Sequence, residues 1–191
     1  MTPTDLDAIR SRISRALRAA QQASGEGYET SYQADGADFM TYFRAIGVKA
    51  PEQLEDDFLN LFVWTWSLKD YVKTCYKARG LNAQEVEEIA NRSRALAYVA
   101  DISNRAKHGT LRESRSGEFA ELVDVGFEAP QESIAQITVA GPEVSLFSTN
   151  PQLVRIRATV RTKSGKELDA LAVLTEAIDT WERHALAQIA A

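Results

Sequence analysis

Residues 59–72 read LNLFVWTWSLKDYV, and the organisation of the chain can be worked outward from them. The stretch is apolar almost all the way round, the pattern of a central, buried helix. Lys69 and Asp70 interrupt it. A charge on such a helix must be paired or reach water. Upstream, Pro51 opens the helix at a position proline favours, with Glu52, Glu55, Asp56 and Asp57 in the early turns. Trp64 and Trp66, and Trp181 far downstream, stand at helical spacing among apolar residues, so the core is their expected place.

Downstream, Gly80 breaks the chain, and Asn82 with Glu85 resembles a capping box. A helix is predicted from about 83 to 108, with Val86, Ile89, Ser93, Leu96 and Ala100 as its core stripe. Gly109 suits the position just past the helix end, and Lys107 and His108 fall in the last turn, where cations are favoured. Residues 51–110 therefore read as a core helical hairpin.

Toward the N-terminus, Leu6, Ile9, Ile13, Leu17 and Ala20 predict a helix over 4–22. Its Arg10, Arg12, Arg15 and Arg18 read as a solvated face. SGEGYETSYQADGA (24–37) reads as a loop, and Phe39, Tyr42, Phe43 and Ile46 as a short helix stopped at Gly47.

From about 118 the period becomes alternating. FAELVDVGF (119–127), IAQITV (134–139), EVSLF (143–147) and LVRIRATVR (153–161) read as strands between proline and glycine breaks. Short connections predict an antiparallel meander with one wet face, which carries Arg155, Arg157 and Arg161. KSGK (163–166) is a turn that lacks the upstream glycine of a phosphate loop. A last helix from about 168 carries Leu171, Leu174, Ile178, Trp181 and Ala185 on one face.

The expected fold class is α+β. A mainly α-helical bundle carries an inserted small antiparallel β-meander, and a C-terminal helix returns to the bundle. It reads as a single domain, 1–191, comprising N-terminal helices and a loop (1–50), the hairpin (51–110), the meander (117–163) and the C-terminal helix (167–191).

Composition narrows the function classes. The chain has 191 residues and a net charge of −5, which argues against broad wrapping of nucleic acid by Lys and Arg. A single cysteine, Cys75, rules out an intrachain disulfide and points to a reducing compartment. No stretch approaches a membrane span, and the start, MTPTDLDAIR, has acids where a signal peptide has bases. The expectation is a cytoplasmic protein with no membrane partner. No metal site is expected, because Glu182 and His184 are two residues apart on a helix and point apart. No cofactor is expected either.

The chemistry concentrates in ADISNRAKHGTLRE (100–113). On a helix, Asp101, Asn104 and His108 share one face. Asp70 of the preceding helix could meet that face if the two pack antiparallel. The candidate ligand-binding residues are Asp101, Asn104, Lys107, His108, Lys69 and Asp70. As catalytic candidates, His108 would be the acid–base group, with Arg105 or Lys107 stabilising charge.

NRAKHG resembles the closing turn of the HEPN domains (higher eukaryotes and prokaryotes nucleotide-binding), which are helical bundles. Asn104, His108 and Gly109 carry the match, and Ser103 stands where the ribonuclease members have arginine. The resemblance implies a nucleotide- or RNA-end-binding module, a toxin–antitoxin or phage-defence setting, and a homodimer paired through the motif face. The chain is also similar to small bacterial proteins with an N-x-x-K-H helix end after a tryptophan-rich helix, through Trp66, Lys69, Asp70, Asn104, Lys107 and His108. Three readings follow. The first, preferred because of Ser103 and the net acidity, is a HEPN-like binding or accessory module. The second is a metal-independent ribonuclease. The third is a structural protein whose sheet binds a partner chain.

Overall fold

The structure is a computed structural model and describes residues 3–33 and 40–190. It is a mixed α+β protein. The chain groups into two compact units, Met1–Ala19 with Asp56–Asp124 and Ala158–Ala191, and Ala20–Glu55 with Val125–Arg157. Each unit is discontinuous in sequence, so each draws on more than one of the blocks read from periodicity.

The first unit is built on helices. They are α1 (Pro3–Ala20), α2 (Pro51–Ala78), α3 (Gln84–Arg92), α4 (Arg94–His108) and α5 (Ala170–Thr180), which continues through a wide π-turn at Trp181–Leu186 into α6 (Ala187–Ala190). Its core takes Ile9 from α1, Phe58, Leu61, Phe62 and Tyr76 from α2, Leu96 and Ile102 from α4, and Leu174 with Trp181 from the C-terminal segment. The apolar stretch 59–72 thus forms the helix it predicts. The C-terminal segment is tied to α2 by the Trp181 indole N–H, which donates to the Thr65 carbonyl at 3.1 Å, and by the Tyr76 hydroxyl, which donates to the Ala185 carbonyl at 3.1 Å. Of the tryptophans, Trp66 and Trp181 are buried, while Trp64 is half-buried under the Arg12 guanidinium.

The helix expected over 83–108 is two helices. They break at Ser93, whose extended backbone ends α3 and whose hydroxyl accepts the Leu96 N–H at 3.2 Å, capping α4. A serine oxygen competes with the helical ladder for nearby N–H groups, so a serine inside an apolar stripe can start a helix as well as continue one. Asn82 caps more loosely than a capping box, through its side chain to the Gln84 N–H.

The second unit holds a sheet ordered β1-β2-β5-β4, comprising β1 (Tyr28–Tyr32), β2 (Thr41–Ile46), β4 (Ile134–Ala140) and β5 (Glu143–Ser148). Two expectations are corrected here. The stretch 24–37 contains strand β1 rather than loop alone, and Tyr42, Phe43 and Ile46 lie on a strand rather than a short helix. Phe39, and the end of the expected loop at 34–37, lie outside the described residues. β2 pairs antiparallel with β1 and parallel with β5, about a hundred positions along the chain. A partner that distant leaves no mark in local spacing. Gly27, at φ +112, lets the backbone pass so close to Ala45 that a Cβ would lie 2.3 Å from its carbonyl oxygen. Ala45, Val48 and Val154 are buried in this unit, with Tyr28, Phe43 and Phe127 packed around them.

The single meander expected over 117–163 is also corrected. Its four strands divide between two sheets. β4 and β5 join β1 and β2, whereas β3 (Glu121–Glu128) and β6 (Arg155–Arg161) form a second sheet with β7 (Glu167–Asp169), ordered β3-β6-β7. Alternation marks a strand but does not say which strand it pairs with. KSGK forms the turn between β6 and β7, closed by the Thr162 N–H to the Lys166 carbonyl. None of the described helices is long and apolar enough to cross a membrane.

Candidate functional site: a basic cleft at the end of α4

α4 ends where Gly109, at φ 73, turns the chain and its N–H closes on the Arg105 carbonyl at 2.8 Å. Beyond it, residues 109–119 fold back along the helix and make the site. Asp101 organises this return. Its side chain is fully buried. One carboxylate oxygen accepts the Arg115 N–H at 2.7 Å. The other accepts the Ser114 hydroxyl at 2.6 Å, the Ser116 hydroxyl at 2.5 Å and the Ala120 N–H at 3.3 Å. Four donors converge on one buried carboxylate, so its charge is met without a cation.

A second fastening lies beside the first. Glu87 of α3 is held by Lys69 and Lys73 of α2, at 3.0 and 2.9 Å, and by the Arg115 guanidinium at 2.8 Å. Lys69 and Arg115 also lie over the Trp66 ring, at 4.7 and 4.8 Å from its centre. Burial by itself would raise the Glu87 carboxyl. Hydrogen bonds from Arg115, Lys73 and Lys69, with the Lys69 charge, outweigh it and hold the group at about 2. Residues 114–116 are thereby pinned to α4 through Asp101 and to α2 and α3 through Glu87.

The residues that lead into the pinned segment form one wall of a cleft of about 470 Å³, lined by Asn104 and His108 of α4 and by Thr110, Leu111 and Arg112. His108 and Arg112 are exposed, and neither has a hydrogen-bond or ion-pair partner among the described residues. Lys107 is exposed beside them, with only a long 3.5 Å contact to the Ser67 hydroxyl. The helix C-terminus carries partial negative charge, worth up to about 1 kcal/mol against an anion near it. The Lys107 and Arg112 charges at this end are of the sign that offsets it.

The predicted residues separate accordingly. Asn104 and His108 share the cleft, with Lys107 at its side. Asp101, on the same stripe, is buried in the loop clamp and does not face the cleft. Lys69 is committed to Glu87, and Asp70 is exposed on α2 with its carbonyl accepting the Thr74 hydroxyl. The Asp70–His108 meeting does not occur. Arg105 reaches toward Glu121 at 3.9 Å, and its buried Nε has no hydrogen-bond partner. Ser103 is fully buried, so an arginine at this position would have to enter the core.

Sequence reasoning missed Arg112, the serine pair of the clamp and Glu87. The signal for the clamp was present: SRS (114–116) supplies hydroxyls and free N–H groups within reach of a carboxylate on an otherwise apolar stripe. Glu87 gave none, because its partners come from two other segments, α2 and the loop after α4. The same unit has a larger cleft, about 790 Å³, lined by Glu85, Glu88, Glu176 and His184 with Arg92 and Arg94. Its carboxylates would repel a phosphate. Among the described residues, no group of His, Cys, Asp and Glu is arranged to hold a metal ion.

Comparison with protein-family models, with curated proteins and with solved structures found no match to this chain.

Proposed function

We propose that the cleft at the end of α4 binds a phosphate-bearing ligand, a nucleotide or the end of a short RNA, and that the protein is a HEPN-like binding or accessory module of the cytoplasm. One observation carries this reading: Asn104, His108 and Arg112 line a single cleft, and among the described residues neither the imidazole nor the guanidinium has a carboxylate partner. Arg112 offers a planar fork of donors suited to phosphate oxygens, and Asn104 can both donate to and accept from a base or sugar. The net charge of −5 fits a ligand bound at one local site rather than along an extended track. A toxin–antitoxin or phage-defence setting goes with the resemblance.

Binding rather than catalysis is favoured because Arg105, one of the two candidates for stabilising charge in a ribonuclease, is turned toward Glu121, and Ser103 stands where the ribonuclease members of the resembled family have arginine.

Thermal unfolding with and without mononucleotides and 5′- or 3′-phosphorylated short RNAs tests the reading. A ligand at 100 times its Kd stabilises by about 2.7 kcal/mol. That corresponds to a rise of several degrees in Tm. The rise should disappear in Arg112→Ala and His108→Ala, whose Tm without ligand should stay near that of wild type. No rise with any phosphate-bearing ligand would refute the proposal. RNA cleavage that His108→Ala abolishes would establish the ribonuclease instead.

A further inference from the structure

Residues 109–120 return along α4, and their fastenings are unevenly placed. The downstream limb is held three times over. Asp101 accepts the Ser116 hydroxyl and the Ala120 N–H. The Arg94 guanidinium donates to the Ser116 carbonyl at 3.2 Å and to the Glu118 carboxylate at 3.1 Å. The Glu118 carbonyl accepts the Lys163 N–H at 2.7 Å. The upstream limb has nothing comparable. Once the Gly109 N–H has closed on Arg105, residues 110–113 make no hydrogen bond or ion pair with any described residue. Three of them, Thr110, Leu111 and Arg112, line the cleft. This wall of the cleft is therefore an arch, and its two ends decide where its side chains lie.

One end is the terminus of α4. The other is Ser114–Arg115, held toward two different helices. The Ser114 hydroxyl and the Arg115 N–H bond to Asp101 of α4. The Arg115 side chain lies over the Trp66 ring and reaches Glu87 of α3 at 2.8 Å. Attachment to α4 alone fixes a point and leaves the chain free to pivot about it. The second attachment, to α3, fixes the direction in which the chain leaves the arch. The pair suits this role. Its side chains are 26% and 16% exposed, so salt screens it less than a surface ion pair. Glu87 is itself held in place by Lys69 and Lys73.

We propose that Arg115, through its pair with Glu87, is the positioning residue of the cleft. It sets the place of Arg112, and so the affinity for a phosphate-bearing ligand, by geometry rather than by its own charge. The inference rests on the reading of the cleft as a phosphate site. A binding group whose support is loose is present but misplaced, and affinity falls with the misplacement. Latch and ligand are then coupled in both directions: what weakens the pair weakens binding, and a bound ligand steadies the pair. The redundant fastenings downstream of Ser116 keep the rest of the return in place when the pair is broken, so the effect is confined to the arch.

Charge and geometry predict opposite signs for one variant. Arg115→Ala removes a positive charge and would weaken phosphate binding on electrostatic grounds alone. Glu87→Gln removes a negative charge and on those grounds would tighten it. Positioning predicts that both weaken it. Calorimetric Kd values for adenosine monophosphate and a 5′-phosphorylated short RNA, taken where circular dichroism shows each variant folded, decide between them. Each Kd should rise about tenfold in both variants, as removal of an outer partner does for a metal ligand. The double variant should bind no more weakly than the weaker single one, because both changes break the same pair. Arg115→Lys, which can keep the pair, should recover most of the affinity. Without ligand, nitrogen relaxation should give residues 110–113 of the wild type order parameters near the rigid value of about 0.85. They should fall in Arg115→Ala and Glu87→Gln, while those of α2 and α4 stay unchanged. Binding by Glu87→Gln as tight as or tighter than that of the wild type would overturn this proposal alone. So would losses that multiply in the double variant, or order parameters at 110–113 that do not change. A wild type that binds neither ligand would overturn the reading of the cleft and this proposal together.

Discussion

Asp101 and His108 lie on one stripe of one helix, seven residues apart, and the structure treats them in opposite ways. Asp101 is sealed under the returning chain and accepts four hydrogen bonds. His108 stands at the open end of the helix with no protein partner among the described residues. The stripe identifies which side chains share a direction. It does not say what lies in that direction, and here the upstream half is covered by residues 114–120 while the downstream half is not. A buried polar group with every partner in place is architecture. An exposed polar group without partners is available to a ligand.

The comparison is broken most directly at its buried end. Asp101→Ala leaves two hydroxyls and two N–H groups without their acceptor in a closed site. Urea unfolding should show a loss of about 3 kcal/mol or more, and the cleft should lose its ligand as its wall detaches. An unchanged midpoint would mean that the clamp does not hold the loop.

Glu87 tests the second fastening. Its folded-state carboxyl lies at about 2, below the usual value of 4.5, so its contribution to stability is fully present above 4.5 and is lost as pH falls from there toward 2. Glu87→Gln should destabilise by about 1–2 kcal/mol at pH 7, because three cations then surround a neutral group. The gap from wild type should narrow as pH falls below 4.5. A gap that stays constant across that window would show that the charge is not what matters.

At the start of the same helix, Ser93→Ala removes the cap on the Leu96 N–H and should cost about 1 kcal/mol by thermal unfolding. A neutral result would mean that the break at Ser93 is set by packing alone.

The smallest effect on stability is expected at the open end. His108→Ala should change unfolding free energy by less than about 0.5 kcal/mol, since none of the described residues bonds to the ring. A loss like that of Asp101→Ala would erase the difference between the two ends of the stripe.

Much of this architecture was legible in the sequence. The apolar run at 59–72, the glycine stop at 109 and the alternation at 153–161 announce elements through local periodicity, and those elements formed. The Asn104–His108 pairing was legible too, because helical spacing fixes which side chains share a face. The failures have one source. Tyr42, Phe43 and Ile46 fit a helical spacing as well as a strand, and the strand won because β1 and β5 pair with it on either side. Glu87 stayed hidden because Lys69, Lys73 and Arg115 reach it only once separate segments are brought together.

By itself, then, the sequence determined where the main helices run, that strands follow residue 118, and that the polar and basic groups gather at one helix end, because these are consequences of side-chain order over one or two turns. Only the tertiary structure decided that the strands belong to two sheets, that Asp101 is a clamp while His108 stays free, and that Arg112 joins the cleft. Each depends on which distant segment comes to lie against which, and that choice is made by the summed burial and hydrogen bonding of the whole chain rather than by any neighbouring residues.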